Sequence, residues 1–153
     1  MQMVYCIMKL HNPQFFHRSC AITALEIVTG LKQRTIERRI LEARERFPLD
    51  ARGYSCRKTE MYEHTDTVFH NELIAFLRKR GIKARMKHVE KPFWFFDIPK
   101  MFFRGTYLCI ITSHALVLRN GLVWDNQGIN QYICNYRFRN DKLLCYAKLI
   151  DFP

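Results

Sequence analysis

The order of apolar and polar residues divides the chain into a helical half followed by a sheet half. Ala21, Ala24, Leu25 and Val28 recur at helical spacing between Ser19, a good N-cap, and Gly30, a good residue for a left-handed helix end. This spacing predicts a buried helix over Cys20–Thr29. A second helix is predicted over Thr35–Phe47. Ile36, Ile40 and Phe47 face inward there, Leu41 and Ala43 lie alongside, and Arg38, Arg39, Arg44 and Arg46 crowd the other faces. Pro48 ends it. The polar stretch Gly53–Thr65 reads as a loop. Thr67 then caps a third helix over Val68–Arg80, with Leu73, Ile74 and Leu77 as its apolar stripe and Gly81 closing it.

Beyond Gly81 the period shortens. Ile82, Ala84 and Met86 alternate with Lys83, Arg85 and Lys87, the pattern of a half-buried strand. The aromatic stretch Lys91–Arg104 is broken by Pro92 and Pro99, and a short helix near Ile98–Phe103 is expected within it. Tyr107–Thr112 is a continuous apolar strand. His114–Arg119 and Leu122–Asp125 flank Asn120-Gly121, the strongest short-range signal for a hairpin. Tyr132–Phe138 and Leu143–Ile150 read as two further strands joined by a turn at Asn140-Asp141. The expected fold class is α+β, with N-terminal helices packed on a C-terminal antiparallel sheet.

A chain of 153 residues fits a single domain over residues 1–153. With 48% hydrophobic and 25% charged residues it has the composition of a folded domain, not of a disordered segment. The net charge of +11 favours acidic partners such as nucleic acid or an acidic protein. No apolar run reaches the ~20 residues of a membrane helix, and Met1–Cys6 lacks the charged start of a secretory leader. A soluble, cytoplasmic protein that binds no membrane is therefore expected. The six cysteines, Cys6, Cys20, Cys56, Cys109, Cys134 and Cys145, then read as reduced thiols. None has the close spacing of a zinc site, so neither metal nor cofactor is expected.

One cysteine stands apart. Cys20 falls in the first turn of a helix, where outward backbone N–H groups and the helix dipole favour a thiolate. His17 and Arg18 add positive charge beside it. His114 opens an otherwise apolar strand, and hairpin arithmetic supplies its partner. With a two-residue Asn120-Gly121 turn, Arg119 faces Leu122 and Leu116 faces Asp125, so Asp125 shares a face with His114 one diagonal step away. A three-residue loop would bring Asn126 there instead. Either side chain can orient an imidazole. Gln14, six positions before Cys20, carries an amide able to donate to an oxyanion together with the Cys20 N–H.

Together, Gln14, the helix-opening Cys20 and the late hairpin His114–Asp125 resemble the papain-like cysteine peptidase superfamily. More narrowly, the layout is similar to small uncharacterised papain-like proteins of bacteriophages and mobile elements. The Thr29-Gly30 pair, Leu77 to Gly81, and Gly105-Thr106-Tyr107 before the hairpin carry that likeness, which spans Gln14 to Gly128. The glycine and aromatic neighbours that flank the cysteine of true papains are absent from Arg18-Ser19-Cys20-Ala21, and the chain is much shorter than a papain. The resemblance implies a papain-like fold, catalytic Cys20, His114, Asp125 and Gln14, a protein or peptide substrate, and the host cytoplasm as the site of action. The implied activity is cysteine-dependent hydrolysis of peptide or isopeptide bonds.

A second reading keeps the shell and drops the chemistry, leaving a catalytically silent basic binding module for nucleic acid or an acidic host protein. Its support is Arg78, Lys79, Arg80, Lys83, Arg85 and Lys87, a run without an acid among them, followed by Phe93, Trp94, Phe95 and Phe96. The other basic cluster, Lys32–Arg46, interleaves Glu37, Glu42 and Glu45 and reads as a solvated helix face.

Overall fold

A computed structural model of the chain describes residues 8–14, 19–46, 68–112 and 114–151. The loop expected over Gly53–Thr65, the cap at Thr67, and the neighbours His17 and Arg18 lie outside these residues. So do Cys6 and Cys56.

The described residues form an α+β structure with the helices first. Helix α1 (Cys20–Thr29) starts where Ser19 Oγ accepts the Ile22 N–H and ends at Gly30 in the left-handed region (φ 73°). Residues Ala21–Val28 are all buried, so this helix is a core element on nearly every side. Helix α2 (Gln33–Arg46) points Ile36 and Ile40 inward. Helix α3 (His70–Lys79) buries Leu73, Ile74, Phe76 and Leu77. Its start is held by the Glu72 carboxylate, which accepts the Phe69 N–H at 3.1 Å.

Arg44 departs from the solvated face expected for it. Its guanidinium is buried and forks onto Glu72 of α3, Nε to Oε2 at 2.8 Å and Nη2 to Oε1 at 3.0 Å. The arginine spacing along α2 looks like surface, but the carboxylate that draws this one inward comes 28 residues later.

The strands are β1 (Ile82–Lys83), β2 (Lys87–Trp94), β3 (Thr106–Ile111), β4 (His114–Arg119), β5 (Leu122–Asp125), β6 (Gly128–Tyr132) and β7 (Lys142–Asp151). They form one antiparallel sheet in the order β1-β7-β3-β4-β5-β6, with β2 also on β7. Two sequence expectations change here. The strand expected through Ile82–Met86 stops at Lys83, because Arg78 Nε takes the Ala84 carbonyl at 2.9 Å and pairing resumes only at Lys87. The strand expected over Tyr132–Phe138 is instead the end of β6 followed by a 3₁₀ turn at Ile133–Asn135 and a further turn. Its alternating aromatics imitate a strand period, but Tyr136 is buried by a turn and not by a sheet face.

The aromatic stretch forms the end of β2 and two 3₁₀ turns, Phe95–Asp97 and Lys100–Phe103. Pro92 is accommodated because β2 shifts register between His88 and Phe93. The sheet carries a core on each face. Helices α1–α3 cover Leu108, Ile110, Ala115, Val117, Cys145, Ala147 and Leu149. On the other face Phe95, Ile98, Phe102 and Tyr136 cover Tyr107, Cys109, Ile111, Leu116, Leu118 and Val123. Each fully buried aromatic or aliphatic side chain contributes about 1.5–3 kcal/mol.

The β4–β5 turn positions the candidate site. Asn120 (φ 50°) and Gly121 (φ 81°) are both left-handed, as a two-residue hairpin whose twist matches its strands requires. Gly121 has a second constraint: a Cβ there would lie 2.6 Å from the Phe103 ring. The turn sets the register Arg119↔Leu122, Leu118↔Val123 and Val117↔Trp124.

Candidate active site

This register carries Asp125 to His114. His114 Nε2 and Asp125 Oδ2 lie 3.0 Å apart, with both side chains buried. Asn126, the alternative for a longer loop, lies one residue beyond the end of β5, in the turn to β6. The two-residue turn therefore settles which of the two faces the imidazole.

Cys20 reaches the same place from the opposite layer. The N-terminus of α1 sits over the start of β4, and the Ala115 N–H points at Cys20 Sγ at 3.3 Å. His114 adjoins this contact as the residue before Ala115, and its interaction with the thiol lowers the thiol pKa. Since Asp125 occupies Nε2, Nδ1 is the ring nitrogen left for sulfur. Cys20, His114 and Asp125, separated by up to 105 positions in sequence, are thus gathered at one place, with His114 paired to Asp125 and Cys20 held at the neighbouring Ala115 N–H.

The electrostatics follow from this arrangement. Burial pushes the Cys20 thiol up, but the His114 hydrogen bond and charge, with the Ala115 and Ala21 N–H groups, outweigh it and leave the thiol below its ordinary value. Burial likewise pushes His114 down. The hydrogen bonds to Asp125 and Cys20 reverse this and hold the imidazole up at about 9. Asp125 is raised by burial and lowered further by its donors, to about 2. All three shifts favour a thiolate, an imidazolium and a carboxylate at neutral pH.

Asp125 is held by more than His114. Tyr136 Oη donates to Oδ2 at 2.6 Å. Oδ1 accepts from Gln127 N at 2.8 Å, Gly128 N at 3.2 Å and Gln131 Nε2 at 2.9 Å. Five donors fix a carboxylate that is only 1% exposed. Phe138 lies against the His114 ring, centroids 4.7 Å apart, and the Arg137 guanidinium lies 4.5 Å over Phe138. Tyr136, Gln131 and Phe138 were not legible as site residues. Each reaches the site through the turn after β6 or across β5, and a tyrosine among polar neighbours signals only that its buried hydroxyl needs some partner.

Gln14 is placed differently. Its backbone N–H donates to the Glu26 carboxylate, its carbonyl accepts from Gln33 Nε2 at 3.2 Å, and its side chain is exposed. Glu26 is six residues past Cys20, about 9 Å along α1. The described hydrogen bonds thus tie Gln14 to the later half of the helix, and none joins its amide to Cys20 or His114.

The remaining thiols among the described residues form no disulfide, and although Cys145 Sγ lies 3.6 Å from His70 Nδ1, burial raises that thiol instead of lowering it. Burial pushes Cys109 and Cys145 up, the latter to about 11. Cys134 is exposed. Among the described residues no group of three or more His, Cys, Asp or Glu side chains is placed to hold a metal ion, and no helix is long and apolar enough to cross a membrane. A cavity of about 750 Å³ between α2 and α3 is lined by Arg39, Glu42, Arg46 and Glu72 among others, and its described lining residues include neither cysteine nor histidine. It is the chemistry at Cys20, not the volume, that marks the site. The chain matches no protein-family model, no curated protein and no solved structure.

Proposed function

We propose that this protein is a cysteine-dependent hydrolase of peptide or isopeptide bonds with a papain-like site. The observation that carries the reading is His114 paired with the buried Asp125 carboxylate at 3.0 Å, beside a Cys20 thiol held 3.3 Å from the Ala115 N–H and lowered in pKa by that imidazole. A nucleophile, a base and a group that orients the base are the minimum for acyl transfer through a thioester.

In this reading the Cys20 thiolate attacks the substrate carbonyl carbon and forms the C–S bond. The oxyanion is stabilised by the Cys20 backbone N–H at the start of α1. His114 gives its Nδ1 proton to the leaving nitrogen as the C–N bond breaks, which leaves a thioester and a free amine. Water then loses a proton to His114 and attacks the thioester, releasing the acid and returning Cys20. Asp125 keeps Nδ1 directed at sulfur throughout. Gln14 adds a second oxyanion donor if its exposed amide turns toward the helix start, and loss of rate in Gln14→Ala decides that. The likeness of the sequence to small phage and mobile-element proteins supports a substrate in a host cytoplasm.

The competing reading, a silent basic binding module, rests on the charge of +11. Cleavage of a mixed peptide library, read by mass spectrometry, separates the two. Cys20→Ala should melt close to the parent and lose cleavage by a factor on the order of a thousand or more. A folded Cys20→Ala protein that cleaves as well as the parent overturns the enzyme reading.

A further inference from the structure

The face of the sheet that holds His114 and Asp125 also carries a second feature at its other end. Tyr107 lies four residues before Ile111, the β3 partner of His114, so the two regions are separated by about 13 Å along the strand. A cavity of about 510 Å³ opens there. Its cations are Lys83, Arg85, Lys87, Arg104 and Lys148, and among the described residues that line it there is no carboxylate.

The sequence shows only the first three as a cluster. Folding adds Arg104 from the turn before β3 and Lys148 from β7; of the rest of the predicted cluster, Arg78 is committed through Nε to the Ala84 carbonyl, and Lys79 and Arg80 line the cavity between α2 and α3 instead. Five cations from three separated segments therefore converge on one concave surface. Like charges brought this close repel one another, so the arrangement costs stability unless an anion is present. Arg85, Lys87, Arg104 and Lys148 are exposed, which leaves their charges available to a partner.

The floor of the cavity narrows the class of anion. Tyr107 and Tyr146 line it, but their rings are occupied by each other and by Phe102, with centroids 4.9–6.2 Å apart. Tyr107 is only 3% exposed. Tyr107 and Tyr146 are the two rings among the described residues that line the cavity, one buried and the other half-buried, so neither offers a fully exposed face on which a base would stack. What the surface offers is a row of positive charges: Lys83, Arg85 and Lys87 fall at alternate positions of extended chain, about 6.6 Å apart. This matches a ligand with regularly repeated negative charge, recognised through its backbone.

We propose that this cavity binds the phosphate backbone of a nucleic acid strand, without reading its bases and independently of the hydrolase site. The test is binding of a labelled mixed-sequence oligonucleotide, single-stranded and as a duplex, across a salt series. If Arg85, Lys87, Arg104 and Lys148 each neutralise a phosphate, log affinity should fall with log salt with a slope of about −3. The triple variant Arg85→Gln/Arg104→Gln/Lys148→Gln should bind at least tenfold more weakly at moderate salt and flatten the slope to about −1. Arg34→Gln/Arg38→Gln/Arg39→Gln, which removes the same charge from the exposed face of α2, should change binding by less than threefold. All six side chains are exposed, and melting curves check that both variants fold. Arg104→Gln alone, still weaker than the parent, serves if the triple variant melts early. Cys20→Ala should bind like the parent, so the failure of either proposal leaves the other standing. Equal losses in the two triple variants, a parent slope shallower than −1, or competition by polyglutamate as strong as by unlabelled oligonucleotide would each overturn it, the last by assigning the cavity to an acidic protein.

Discussion

At the scale of single residues, the hydrogen-bond roles around Asp125 determine what an amide would do there. Every group that meets this carboxylate is a donor: Tyr136 Oη and His114 Nε2 at one oxygen, two backbone N–H groups and Gln131 at the other. In Asp125→Asn the amide oxygen must serve the side with the two backbone N–H groups, which cannot rotate, and the NH₂ then faces His114. The imidazole can accept that NH₂ only through an unprotonated Nε2, which places its proton on Nδ1 and removes the base from Cys20. Asp125→Asn is therefore expected to fold and to lose cleavage on the order of a thousandfold or more. Peptide cleavage beside a melting curve tests this, and a loss under tenfold would show that the orientation of His114 does not depend on the carboxylate. The same residue shows how far the sequence was legible. The His114–Asp125 pairing follows from strand alternation and an Asn-Gly turn alone, both local facts. Tyr136 and Gln131 depend on where a 3₁₀ turn redirects the chain, and no period in the sequence encodes that.

At the scale of elements, α1 and the β4–β5 hairpin were readable because each is bounded by residues with a stereochemical reason to be there. Ser19 and Gly30 close the helix, and Asn120-Gly121 closes the hairpin. Helices α2 and α3 were readable as elements, but the ion pair that joins them was not. Arg44 and Glu72 are both buried and linked by a two-pronged contact, so removing one partner breaks a charged pair inside the core. Glu72→Ala should cost about 3–5 kcal/mol of stability, read from denaturant unfolding. Glu42→Ala, at the exposed Arg38–Glu42 pair, should cost under about 1 kcal/mol. Equal costs would show that the buried pair contributes no more than a surface one.

At the scale of the whole molecule, the site exists only because two layers meet. Helix α1 brings a thiol to one end of β4, the sheet brings the imidazole, and the face opposite the helices brings the carboxylate with its aromatic cover. The sequence gives each part its residue type but not their meeting, which is set by which strand edge α1 crosses. The central claim is that the Cys20 thiolate is maintained by His114, and the rate of alkylation by iodoacetamide against pH tests it most directly. In the parent, Cys20 should react fastest of all the thiols at about pH 6, where an ordinary cysteine is almost wholly protonated. Its pairing with a charged imidazole should persist until His114 loses its proton near pH 9. In His114→Ala the burial that raises the thiol is no longer opposed by the imidazole, so the onset of labelling should move up to or above the ordinary thiol range. A Cys20 that labels at about pH 6 no faster than exposed Cys134, or whose profile is unchanged in His114→Ala, would contradict the claim.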